Sequence, residues 1–91
     1  MIVLWSREAI EDLVALRSWI GDRNPAAAQR VAASIERSVD HLGEFPQLGH
    51  DGDLPETREL VVPGTPYFIV YRSGATAIEI VAVIHGARQW P

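Results

Sequence analysis

Thr57-Arg58-Glu59-Leu60-Val61-Val62-Pro63-Gly64-Thr65-Pro66-Tyr67-Phe68-Ile69-Val70-Tyr71-Arg72 is the stretch on which the fold turns. It reads as strand, tight turn, strand over residues 57–62 and 67–72. Pro63-Gly64 suits the central positions of a type II turn, because glycine supplies the positive φ that the second of them needs. Ser73-Gly74-Ala75-Thr76 turns the chain again. Residues 77–85 are then almost continuously apolar, so this third strand is expected to be central in its sheet or buried on both faces. Residues 86–91 form a short tail.

Working back towards the N-terminus, residues 44–56 carry Pro46, Gly49, Gly52 and Pro55, too much punctuation for regular structure, and read as a loop. Its Phe45, Leu48 and Leu54 are expected to tuck against the core. Before it, Ala28, Val31, Ala32, Ile35, Val39 and Leu42 share one stripe at helical spacing. Asn24 caps that helix and Pro25 takes its first position, where a missing N–H costs nothing. Gly43 is expected to close it. Ile10, Leu13, Val14, Leu16 and Ile20 place an amphipathic helix over residues 7–21, with Ser6 as N-cap, Glu8 in the first turn and Gly21 as the stop. Two helices joined by so few residues form an antiparallel hairpin. Ile2 to Trp5 is a short strand whose place in the sheet the sequence leaves open. The order predicts an α+β fold: an N-terminal strand, a helical hairpin, then a three-stranded antiparallel meander, with the hairpin layered on a mainly antiparallel sheet.

Ninety-one residues make one domain, 1–91, with a small core and no room for a deep cleft beside it. Function is therefore expected on an exposed face or at a partner interface. With no cysteine there is no disulfide or thiolate zinc site, which fits a reducing cytoplasm. The opening apolar run is too short for a signal peptide or a membrane span. A cytoplasmic protein is expected.

The net charge is −4 and all eight basic residues are Arg. Residues 1–56 hold five Arg against ten carboxylates, whereas residues 57–91 hold three Arg against two. Sequence-specific DNA binding through a basic field is not expected from this balance.

Four segments carry a resemblance. They are Asn24-Pro25-Ala26-Ala27-Ala28, Phe45-Pro46-Gln47-Leu48-Gly49, the run from Thr57 to Tyr67 continuing into Val70-Tyr71-Arg72, and Ile84-His85-Gly86-Ala87-Arg88-Gln89-Trp90-Pro91. In this order and spacing they resemble the ParE/RelE-like toxins, the plasmid-stabilization toxins of type II toxin–antitoxin systems, and look most like the ParE branch. The resemblance implies a toxin neutralised by an antitoxin whose disordered segment folds onto it, the two forming a hetero-oligomer. One branch of the superfamily cuts messenger RNA on the ribosome. The ParE branch poisons DNA gyrase and does no chemistry of its own. An inactive relative that only binds an antitoxin-like partner is a third possibility. The branches share a fold, so fold cannot choose between them.

The residues expected to meet a target are Arg58, Arg72, His85, Arg88 and Trp90. A ribosome-dependent endoribonuclease would need an acid or base and phosphate-binding cations. His85 would serve as the first, and Arg58, Arg72 and Arg88 as the second. Against this stand the missing lysines and Phe68, which occupies the place where the nuclease branch typically carries Arg. The preferred reading assigns no catalytic residue. The bland reading of His85 is a strand-end imidazole that hydrogen-bonds a backbone carbonyl and sets the turn at Gly86. Arg17, near the middle of the first helix's apolar stripe, and Trp19, off that stripe, are the candidates for antitoxin contact. Trp90 needs either a groove in its own domain or a partner. His50-Asp51-Gly52-Asp53 offers metal-ligand types on a loop without further partners and is read as a solvated turn. No metal or cofactor is expected.

Overall fold

The computed structural model describes residues 1–88 and residue 90. Gln89 and Pro91, which belong to the C-terminal resemblance, lie outside the described residues. The chain runs β1 (Ile2–Trp5), α1 (Arg7–Gly21), α2 (Pro25–Glu44), β2 (His50–Asp51), β3 (Arg58–Val61), β4 (Tyr67–Ser73) and β5 (Ala77–His85). The strands form one mixed sheet in the order β1-β5-β4-β3-β2. β2, β3, β4 and β5 pair antiparallel in succession. β1 lies parallel to β5, with Ile2 opposite Ala77 and Trp5 opposite Ile80. The hairpin α1–α2 covers one face.

Local chemistry explains the element ends. The Ser6 hydroxyl accepts from the Ala9 N–H at 3.0 Å, and the Asn24 side chain accepts from the Ala27 N–H at 3.1 Å. Such caps contribute about 1 kcal/mol each. Gly64 has φ +74° and the Thr65 N–H donates to the Val62 carbonyl, as a type II turn over Pro63-Gly64 requires.

The apolar run of β5 is explained by its place. Ile78, Ile80 and Val83 face the helices with Tyr67, Ile69 and Tyr71 of β4, while Ala82 and Ile84 pack with Val70 on the other face. Strict alternation fails because Ala82 pairs with Val70 and Ile80 with Tyr71, which leaves Val81 as the extra residue of a bulge. Ser6 closes the gap. Its N–H donates to the Ile80 carbonyl and its hydroxyl to the Val81 carbonyl, both at 2.9 Å. One residue thus caps α1 and pairs the bulged strand.

Four expectations need correcting. α2 runs through Gly43 to Glu44. A Cβ at Gly43 would meet the Val3 Cγ2 at 3.4 Å, and the Met1 ammonium donates to the Gly43 carbonyl at 3.1 Å. The loop at 44–56 contains β2, a two-residue edge strand. Phe45 and Leu48 are exposed and only Leu54 is half-buried. Polar bonds hold that loop instead: the Tyr71 hydroxyl donates to the Pro46 carbonyl and accepts from the Gly49 N–H, both at 2.8 Å. Finally, the face that α1 turns to the sheet holds Ala9, Leu13, Leu16 and Ile20, while Ile10 and Val14 are exposed. The buried stripe is rotated from the expected one, and Arg17 falls outside it, exposed.

Candidate functional site

A groove of about 280 Å³ opens where α1 crosses the C-terminal end of β5. Ala15, Leu16 and Val83 supply apolar lining, Tyr67 and Trp19 aromatic lining, and Asp12, His85 and Arg88 the polar groups. Each arrives for a local reason. Trp19 sits one helical turn beyond Ala15 on a flank of α1 that the sheet leaves uncovered, and is 58 % exposed. The Arg23 guanidinium lies 3.9 Å from the centroid of its ring and donates from Nη1 to the Trp19 carbonyl at 2.8 Å. This stacking holds the indole upright.

Asp12 lies toward the sheet side of α1, and its Oδ2 accepts from the Val83 N–H at 3.0 Å. β1 has ended by this point, so Asp12 takes over the edge of β5 that β1 no longer pairs. The Tyr67 and His85 rings meet edge to face with centroids 5.3 Å apart. Burial pushes the Tyr67 phenol above its ordinary value of 10.0, so it stays a neutral wall at physiological pH.

The His85 ring is committed. Its Nδ1 accepts from the Ala87 N–H at 3.0 Å, and its carbonyl accepts from the Arg88 N–H at 2.9 Å. A donor facing Nδ1 fixes the neutral tautomer with the proton on Nε2. Neutral His85 therefore has no free ring lone pair.

The sequence candidates do not converge on one point. Trp19, His85 and Arg88 meet in the groove. Arg58 pairs across from Tyr71, and its Nη1 donates to the Gly49 carbonyl at 2.7 Å, fastening the loop before β2. Arg72 lies across from Glu79 and makes with it, at 3.2 Å, the one ion pair found among the described residues. His85 pairs with Tyr67, five residues from Arg72 along β4, so roughly 17 Å of strand separates them at 3.3 Å per residue. Trp90 packs against Val70, Ala82 and Ile84 on the sheet face away from the helices. Among the described residues no three metal-ligating side chains gather. The His50 Nδ1 lies 2.9 Å from the Asp51 carbonyl, and the Asp53 N–H donates to the Glu59 carboxylate at 3.3 Å.

Sequence reading missed Asp12, Tyr67 and Arg23. Asp12 had a signal: a carboxylate three residues after Ala9 and four before Leu16, on the side of the helix that must be buried. Arg23 had one too, four residues after an exposed Trp.

Residues 3–90 match the family model described as ParE toxin of type II toxin-antitoxin system, parDE. The chain belongs to the ParE toxin family. It is similar to the Putative toxin Y4kP of Sinorhizobium fredii, 39% identical over 89 residues that span 98% of this chain and 92% of that protein. It is also 37% identical over 86 residues to Toxin RelE2 of Caulobacter vibrioides, spanning 94% of this chain and 96% of the relative. Among solved structures, a chain of the "Chromosomal ParDE TA system from P. aeruginosa" superposes with TM-score 0.84 at 23% identity, covering 93% of this chain and 95% of that one. At that identity the likeness concerns the fold. As a member of this family the chain is a type II toxin, and such a system includes a cognate antitoxin. No helix of the described residues is long and apolar enough to cross a membrane.

Proposed function

We propose that this ParE-family toxin arrests growth by binding DNA gyrase, without making or breaking bonds itself, and that its antitoxin silences it. The observation that carries this reading is the state of His85. General-base attack on a phosphodiester needs an imidazole lone pair within reach of the 2′-hydroxyl. The single lone pair of neutral His85 is engaged by the Ala87 N–H, which counts against the base role and leaves only Nε2–H, a donor. Two of the three cations a nuclease would use also stand elsewhere, Arg58 on the Gly49 carbonyl and Arg72 on Glu79, and only Arg88 stays beside His85. A net charge of −4 adds nothing to RNA affinity.

Ribosome-dependent RNA cleavage is the second reading, favoured by the relatives that carry the RelE name. Inducing the chain in bacteria and mapping chromosome breaks and transcript ends in the same cells separates the two. Gyrase poisoning gives DNA breaks and a damage response. Under this reading His85→Ala loses toxicity only as far as it loses stability or contact with the target. Codon-phased transcript cuts without DNA breaks, lost in a folded His85→Ala protein, would replace gyrase by the ribosome.

A further inference from the structure

We propose that Phe45 and Leu48, on the loop between α2 and β2, form an apolar knob that docks into a basic-rimmed apolar pocket of the target. The inference rests on the gyrase reading above and names the surface through which the chain meets that enzyme.

The knob is exposed, and its backbone is held. Phe45 is 60 % exposed and Leu48 51 %. The Phe45 N–H donates to the His41 carbonyl at 2.7 Å, and the Leu48 N–H to the Phe45 carbonyl at 3.1 Å. From the sheet, the Tyr71 hydroxyl bridges the Pro46 carbonyl and the Gly49 N–H, and Arg58 holds the Gly49 carbonyl. Beside Phe45 lies a depression of about 480 Å³ whose walls include Glu44, Gln47 and Ser73. Large apolar side chains presented on a fixed backbone lose little freedom on binding, as interface anchors do. The knob stands where β4 ends at Ser73, whereas the α1–β5 groove stands where β4 begins at Tyr67, so the two surfaces are separate.

Charge decides the occupant. Residues 44–56 hold Glu44, Asp51, Asp53 and Glu56 and no Arg, a charge of −4 that equals the net charge of the chain. All four carboxylates belong to exposed residues. Glu44 lines the depression on the α2 side of the knob, and Asp51, Asp53 and Glu56 line another on the β2 side. Arg58, which lines the second, turns its Nη1 to the Gly49 carbonyl. Such a rim repels nucleic acid and anionic lipid. A second copy of this chain does not fit either, because an isologous contact sets the same carboxylates against their own counterparts. A protein surface rich in Lys and Arg does fit, and an enzyme that grips DNA must present one.

The test measures the affinity of the purified chain for purified gyrase by calorimetry, with circular dichroism on each variant to check the fold. Phe45→Ser and Leu48→Ser remove the knob from exposed positions, and each should weaken binding on the order of thirtyfold. The triple variant Glu44→Gln, Asp53→Asn, Glu56→Gln should weaken it about tenfold and flatten its salt dependence. A second triple, Glu11→Gln, Glu36→Gln, Asp40→Asn, changes the net charge equally from exposed positions on the helices and should bind as the wild type does. Wild-type affinity for folded Phe45→Ser and Leu48→Ser chains overturns the knob while leaving the gyrase reading intact. Equal losses for the two triples, or none for the first, overturn the basic partner surface, because charge at this loop would then have no special part. A folded wild-type chain that does not bind gyrase at all overturns the gyrase reading and the inference together.

Discussion

Tyr71 shows how much one side chain can organise. Its ring is fully buried under the helices, and its hydroxyl pairs with both the Pro46 carbonyl and the Gly49 N–H. Gly49 must be glycine here, since a Cβ would lie 2.8 Å from the Glu59 carbonyl and the Tyr71 ring. Tyr71→Phe keeps the ring and deletes the hydroxyl, so two backbone groups lose a partner at once. A loss of about 2 kcal/mol is expected in urea unfolding, since a polar group left unpaired on burial costs roughly 1–3 kcal/mol. An unchanged midpoint would mean that water replaces the hydroxyl. The same contacts explain why Arg58 could not be understood from sequence. A lone Arg at a strand start looks available for phosphate, and only the folded chain brings the Gly49 carbonyl within 2.7 Å of it. His85 was legible only in part. A strand-end imidazole bonded to a backbone carbonyl was one of its two readings, whereas the ring accepts from the Ala87 N–H instead. Trp19 was legible from helical phase alone, whereas Arg17 was misplaced because Ile10 and Val14 were counted into a stripe that the sheet does not reach.

Among the elements, the caps and the Pro63-Gly64 turn could be read because their chemistry is local. The parallel pairing of β1 with β5 could not, since 75 residues separate Ile2 from Ala77 and no local signal sets their register. β2 is too short to show a period, and its two polar residues sit among glycines and prolines. The end of β5 depends on a contact from α1. Beyond Trp5 that strand has lost its β1 neighbour, and Asp12 supplies an acceptor for the Val83 N–H. Asp12→Ala removes that acceptor and should cost about 1–2 kcal/mol in urea unfolding. Hydrogen exchange at the Val83 amide should rise well beyond that at Ile78, which β1 covers. Uniform acceleration along the whole strand would show instead that the variant loosens the entire sheet.

For the molecule as a whole, the fold class and the family were legible because four segments stand in register along nearly the whole chain. The site was legible only in part. Trp19 comes from α1, and His85 and Arg88 come from the last strand and tail, and nothing in the sequence says that they share a groove. Their convergence depends on α1 crossing the end of β5, which is a tertiary fact. At this scale, expression of the chain alone should stop bacterial growth, and co-expression of the adjacent antitoxin should restore it. Normal growth at confirmed soluble expression would count against an active toxin.

The most direct measurement takes purified chain, purified gyrase and supercoiled plasmid, and assays linear DNA after protein is removed. A parallel reaction supplies translating ribosomes and a defined messenger. The account predicts that linear DNA accumulates with the chain and disappears when antitoxin is added, while the messenger stays intact. Unaltered gyrase products beside a messenger cut at codon boundaries would contradict it.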